Sequence, residues 1–179
     1  MAGFSPDVVV SGVDEDDVEE MPTSELVQAL AARKAAAVAA IPEVADAIVV
    51  GCDSMLALDN SSLGKPRDAE EAVMRWKSMR GRSGVLTTGH CVIDTRSGAR
   101  AIGVGETVVR FGLPSDDEIA AYVATGEPLA VAGAFTLDGV SAPFIDGIEG
   151  DPGAVIGISL PLFRSLLRDV GVSVVDLWN

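Results

Sequence analysis

Asp53 follows the apolar run Ala47-Ile48-Val49-Val50-Gly51 with only Cys52 between, and Lys65 comes after a short polar loop, in Leu63-Gly64-Lys65-Pro66. A continuous apolar run of this length reads as a strand buried on both faces, and ligands of α/β sheets gather at the carboxyl ends of such strands. Asp53 is therefore expected at a strand end. An acid and a lysine brought together there suit an anionic substrate held by a divalent metal, with the carboxylate either holding the ion or activating water. Taken without the lysine motif, the competing reading of Asp53 is a strand-end residue that caps a turn.

Other polar residues carry a bland reading beside a sharp one. His90 is the sole histidine; it falls inside an apolar strand pattern with no nucleophile motif nearby, which argues against a triad. Gly64-Lys65 is not a phosphate-binding P-loop, because Asp59 stands where glycine is required and Pro66 replaces Ser or Thr. Gly103-Val104-Gly105 lacks the third glycine of a dinucleotide fingerprint and marks a bend or bulge in a strand. Asp14, Asp16 and Asp17 either help a metal or form a solvated acidic loop, and the solvated loop is favoured. Glu149 and Asp151 line a site or shape a turn. Trp76 and Tyr122 lie on apolar helix stripes and are assigned to the core.

A chain of 179 residues lies in the range of one domain, residues 1–179, long enough for a substantial core. Its residues are 48% hydrophobic but only 4% aromatic, so the core is built from Val, Ala, Leu and Ile, as in a sheet covered by helices. A formal charge of −14 disfavours a nucleic-acid polymer as partner, since such binding needs clustered Lys and Arg. A small phosphorylated ligand stays compatible with that charge if a metal and local lysines reverse the field in one cleft. Cys52 and Cys91 form no metal pattern and are expected as reduced core thiols. With no signal-peptide pattern and no apolar run of about 20 residues, the expectation is a cytoplasmic protein without membrane contact.

The elements that must position these groups alternate in type. Val8-Val9-Val10 gives a short strand signal, and residues 11–20 an acidic loop. Thr23 to Ala40 reads as a helix capped by Thr23 or Ser24 and stopped before Pro42. After the strand at 47–51, Asp68-Ala69-Glu70-Glu71 resembles a capping box ahead of a stripe of Ala72, Trp76 and Met79, with Gly81 ending the helix. Runs at 85–93 and 100–111 flank the turn Asp94–Gly98 as a long hairpin. Ser115-Asp116-Asp117-Glu118 caps a short helix carrying Ile119 and Tyr122. Strands near 130–135 and 143–148, a helix at 160–169 and a terminal strand at 172–177 complete an α/β fold with a mixed central sheet, long hairpin strands and flanking helices.

Taken in order, several segments resemble the Maf family of nucleoside triphosphate pyrophosphatases, in the superfamily of the inosine triphosphate pyrophosphatases. They are Val13-Asp14-Glu15, Arg33-Lys34-Ala35, Gly51-Cys52-Asp53-Ser54, Leu63-Gly64-Lys65-Pro66, Gly81-Arg82-Ser83, Thr88-Gly89, Gly126-Glu127-Pro128, Ala132-Gly133-Ala134-Phe135, Ile148-Glu149-Gly150-Asp151 and Val155-Ile156-Gly157. The resemblance runs from about Ser11 to Val172. It implies cleavage of a nucleoside triphosphate to the monophosphate and pyrophosphate with a divalent cation, Mg²⁺ or Mn²⁺. It implies Asp53 as the catalytic proton acceptor that prepares the attacking water, with Glu15 and Asp53 holding the metal and Lys34 and Lys65 neutralising phosphate oxygens. By residue type alone, Lys34 would be a solvated helix lysine.

Two departures from the family pattern accompany this. The family opens with a strand and a Ser-x-Ser-Pro-Arg-Arg turn, whereas Met1-Ala2-Gly3-Phe4 resembles the end of the helix after that turn, so the resemblance implies an N-terminally shortened member. Members preferring thymidine or uridine triphosphates carry Gln-Gly where Asp138-Gly139 stands here, and Thr in place of Ser54, which marks Ser54 and Asp138 as specificity positions with the base left open. A homodimer and a link to septum formation are also implied by the resemblance. A catalytically silent nucleotide-binding or division-regulating protein is the alternative function.

Overall fold

A computed structural model describes residues 3–15, 21–59 and 61–178. Five strands form an antiparallel sheet in the order β2-β1-β3-β4-β5: β1 is Ile48–Leu58, β2 Ser61–Leu63, β3 Ser83–Asp94, β4 Arg100–Phe111 and β5 Ile145–Glu149. The helices are α1 Thr23–Ala39, α2 Ala69–Met79, α3 Asp116–Ala124, α4 Pro152–Ile156 and α5 Leu160–Asp169. The chain is therefore α/β, as expected. It divides into two compact units, one of Met1–Asp53, Gly89–Val104 and Ile158–Asn179, the other of Ser54–Thr88 and Gly105–Gly157.

In the first unit the period-two alternation of β1 sends successive side chains to two helices. Val49 packs with Ala31, Ala32, Ala35 and Cys91 beneath α1, while Ile48 and Val50 join Val92, Phe163, Leu166 and Leu167 beneath α5. This is the doubly buried strand that the apolar run predicts. Small residues bring α1 close: a Cβ on Gly51 would lie 2.4 Å from the Ala31 carbonyl oxygen, and one on Gly89 2.2 Å from that of Val27. His90 is fully buried and its Nε2 accepts a hydrogen bond from the Ser159 backbone N–H at 2.8 Å, at the N-cap of α5. That is a structural role.

The second unit is built around Trp76, which meets Phe111, Tyr122 and Phe144 edge-to-face and donates its indole N–H to the Ala134 carbonyl at 2.7 Å. Ala72 and Met79 are buried on the same stripe, as the helical spacing predicts, and Ile119 and Tyr122 of α3 join them. Ser115 and Glu118 complete a reciprocal capping box on α3. On α2 only half of the box forms: Asp68 accepts from the Glu71 backbone N–H at 2.8 Å, while the Glu71 side chain turns to Arg67 and Arg75.

Several expectations are corrected. Asp53 is not at a strand end, because β1 continues to Leu58, where Leu56, Ala57 and Leu58 pair with Leu63, Ser62 and Ser61 of the short β2. The segment expected as a strand at 130–135 is two 3₁₀ turns, Glu127–Ala130 and Ala132–Ala134, because Gly126, Gly133 and Ala134 adopt positive φ and break any extended run. The terminal strand is instead a 3₁₀ turn, Val174–Leu177. Val8–Val10 form no strand, with Val8 93% and Val10 89% exposed. Helix α1 begins after Pro22 with no side-chain cap, so neither Thr23 nor Ser24 caps it. The loop expected at 149–153 leads into α4, capped by Asp151.

Candidate active site

Three of the candidate residues converge in the first unit. Lys34, in the second half of α1, places Nζ 2.6 Å from Asp53 Oδ1 and 2.7 Å from Glu15 Oε1. The close seat of α1 on Gly51 fixes this geometry, since Lys34 leaves the helix beside Ala35, whose backbone nitrogen would lie 2.7 Å from a Cβ at residue 51. The Asp53 side chain is only 9% exposed, Lys34 20% and Glu15 40%, so the cluster grades from the sheet outward to water. Burial works against the Lys34 charge, yet the hydrogen bonds and charges of Asp53 and Glu15 outweigh it and hold the ammonium above the ordinary lysine value. The neighbouring Cys52 thiol is pushed up to about 12, first by burial and then by the Asp53 charge, so it stays protonated and is no nucleophile. Both cysteines are free thiols.

Two carboxylates meeting at one point are a donor set suited to Mg²⁺ or Mn²⁺, which take hard oxygen ligands and share phosphate oxygens and waters with a few carboxylates. Among the described residues no three His, Cys, Asp or Glu side chains group as a metal site. Asp14 is exposed, and Asp16 and Asp17 lie outside the described residues.

The second unit holds the other candidates. Ser54 and Asp138 line one pocket of about 180 Å³, with Leu86, Val131, Phe135 and Thr136 among its walls. The turn carrying Asp138 is tied down by Glu127, which accepts from Thr136 Oγ1 at 2.6 Å and from the Val140 backbone N–H at 3.0 Å. Ser54 Oγ lies 2.8 Å from Thr88 Oγ1, which in turn donates to the Ala154 carbonyl at 3.0 Å. Lys65 is exposed on the loop after β2. Arg75, itself clamped by Glu71 at 2.6 Å, holds that loop through the Gly64 carbonyl at 2.5 Å, and the Gly133 N–H bonds the same carbonyl at 3.1 Å.

Glu149, the last residue of β5, is an exposed partner of Arg110, and Asp151 caps α4 by accepting from the Gly153 N–H at 2.8 Å. Sequence reasoning missed Thr88, Glu127 and Thr136 as pocket supports. Thr88 had a signal, because a hydroxyl within an otherwise apolar buried strand must find a partner. Glu127 had one in the segment Gly126-Glu127-Pro128, and Thr136 had none beyond its turn-rich surroundings.

The first unit thus carries an acid–lysine–acid cluster, and the second a small pocket lined by apolar side chains, hydroxyls and one carboxylate. The model of the family described as Maf-like protein matches residues 1–170, and the chain belongs to that family. It is 64% identical over 177 residues to a nucleoside triphosphate pyrophosphatase of Streptomyces coelicolor, an alignment covering 99% of this chain and 86% of the relative. A Streptomyces avermitilis protein of the same name is 62% identical, again over 99% of this chain and 86% of the relative. One from Salinispora tropica is 52% identical over 99% and 80%.

Proposed function

We propose that this protein is a nucleoside triphosphate pyrophosphatase, a hydrolase that converts a nucleoside or deoxynucleoside triphosphate to the monophosphate and pyrophosphate. The convergence of Glu15 and Asp53 on Lys34 Nζ carries the reading, in a chain whose relatives bear that name. In the step itself, Asp53 takes a proton from a water whose oxygen attacks the α-phosphorus. The bond from that phosphorus to the oxygen bridging to the β-phosphate breaks, and pyrophosphate leaves with that oxygen. Lys34 orients the carboxylate through its hydrogen bond and offers its remaining N–H to a phosphate oxygen. Lys65, a compact charge on an exposed loop, neutralises a further phosphate oxygen.

Glu15 and Asp53 are the residues that would hold Mg²⁺ or Mn²⁺, which when bound neutralises phosphate charge. Ser54 and Asp138 line the pocket assigned to the base. Nucleotide-pool housekeeping in the cytoplasm, as a homodimer, completes the proposal.

The test is pyrophosphate release from a panel of canonical and modified nucleoside triphosphates with Mg²⁺ or Mn²⁺. Asp53→Asn should lower the rate about 10²- to 10⁴-fold. An unaffected variant would remove Asp53 from the chemistry. A second reading, a catalytically silent nucleotide-binding regulator of septum formation, is favoured by one observation: a single ammonium pairs with both acids and offsets one of their two charges. Nucleotide binding without pyrophosphate release, whichever metal is supplied, would establish it.

A further inference from the structure

The pocket lined by Ser54, Thr136 and Asp138 has a one-sided hydrogen-bonding character. A hydroxyl has one proton to give and lone pairs to receive. Thr136 gives its proton to Glu127 Oε1 at 2.6 Å. Thr88 gives its proton to the Ala154 carbonyl at 3.0 Å, so in the 2.8 Å contact between Ser54 and Thr88 it is Ser54 that donates. Ser141, the other hydroxyl on Thr136, is likewise committed, donating to the Thr136 carbonyl at 3.0 Å. Asp138, exposed at the edge of the pocket, is a carboxylate and accepts only.

Every side-chain oxygen lining this pocket therefore presents lone pairs, and its other side chains, those of Leu86, Val131, Phe135 and Val155 among them, are apolar. A volume of about 180 Å³ is below the range of about 300 Å³ and upward of pockets that take whole drug-sized ligands, so it receives a fragment of one.

We infer that this pocket selects nucleotides whose base carries an exocyclic amino group, over bases that present a carbonyl at the same position. This rests on the assignment of the pocket to the base. An amino group gives its N–H to the Asp138 carboxylate, a charge-assisted bond. At that exocyclic position the carbonyl of uracil, thymine or hypoxanthine would bring lone pair against lone pair, and a site built to receive a donor there rejects the analogue lacking it. Preorganisation supports the selection: Glu127 holds both Thr136 and Val140, two residues to either side of Asp138, so the carboxylate is presented by a braced turn.

Isothermal titration without divalent cation tests this with two matched pairs, CTP against UTP and ATP against ITP, each exchanging an exocyclic amino group for a carbonyl at the same ring position. The expected result is about tenfold tighter binding of the amino-bearing member in each pair, the lower end of what one specific base contact supplies. Asp138→Asn, at an exposed position, should close that gap, because an amide can turn either a donor or an acceptor to the base. Equal affinities within the pairs, tighter binding of UTP and ITP, a gap that survives Asp138→Asn, or no binding of any of the four would each overturn the inference. Since binding is read without turnover, a failure to release pyrophosphate sinks the hydrolase reading and leaves this result standing. The reverse holds equally.

Discussion

Gly51 of β1 lies so close under Ala31 of α1 that a methyl group at residue 51 would come 2.4 Å from the Ala31 carbonyl oxygen. The obstacle is backbone on all but one side, with the Ala35 nitrogen at 2.7 Å and its Cβ at 2.9 Å, so no flexible side chain can yield. Gly51→Ala must therefore push α1 off the sheet. The expected cost is about 1–3 kcal/mol, read by urea unfolding. Because Lys34 rides on α1, pyrophosphate release should fall with stability, whereas a comparable change remote from α1 would lower stability alone.

Lys34 links the two acids, and its replacement separates charge from shape. Lys34→Met keeps most of the stem but removes the ammonium, leaving Asp53 and Glu15 to repel one another. Turnover should fall about 10²- to 10³-fold, the usual cost of losing one preorganised donor to a transition state. Near-normal kcat in this variant would remove Lys34 from the phosphate-handling set.

The same lysine predicts an alkaline limit. Its folded pKa is raised, so its stabilising contribution is fully present below the unfolded value of about 10.4 and is lost as pH rises through the folded value. Urea midpoints measured from pH 8 to 11.5 should drop more steeply at the alkaline end for the wild-type chain than for Lys34→Met. Parallel curves would show that the ion pairs add nothing to stability.

Trp76 tests the core of the second unit. Trp76→Ala should cost about 3–5 kcal/mol, as for other large buried aromatics. Trp76→Phe retains most of the packing but leaves the Ala134 carbonyl without its indole partner, at about 1–3 kcal/mol. If the two variants unfold alike, the hydrogen bond dominates and the edge-to-face packing is secondary.

Glu127 braces the turn that carries Asp138. Burial raises its pKa, but hydrogen bonds from Thr136, the Val140 backbone and Tyr122 outweigh this and hold it below the ordinary value. A depressed carboxylate contributes stability above its unfolded pKa of about 4.3 and loses it as pH falls through the folded value. Glu127→Gln should therefore flatten the acid limb of the stability profile below about pH 4.3. Unchanged acid sensitivity would show that the brace is not what fails in acid.

Elements whose signals are local were legible in the sequence. Apolar spacing at Ala72, Trp76 and Met79, the Ser115–Glu118 box and the turn at Asp94–Gly98 each depend on neighbours within a few residues, and each recurs in the structure. The doubly buried start of β1 was legible for the same reason. Resemblance of ordered motifs singled out Glu15, Lys34 and Asp53, but not that one ammonium joins both acids, because Lys34 and Asp53 are 19 positions apart and meet only where α1 settles on Gly51. Tertiary structure alone decided that β1 runs past Asp53 to pair with β2, that 130–135 turns instead of extending, and that Glu127 holds the Asp138 turn. These depend on pairing and hydrogen bonding between segments distant in the chain, and such partners leave no period or cap in the local sequence for a reader to find.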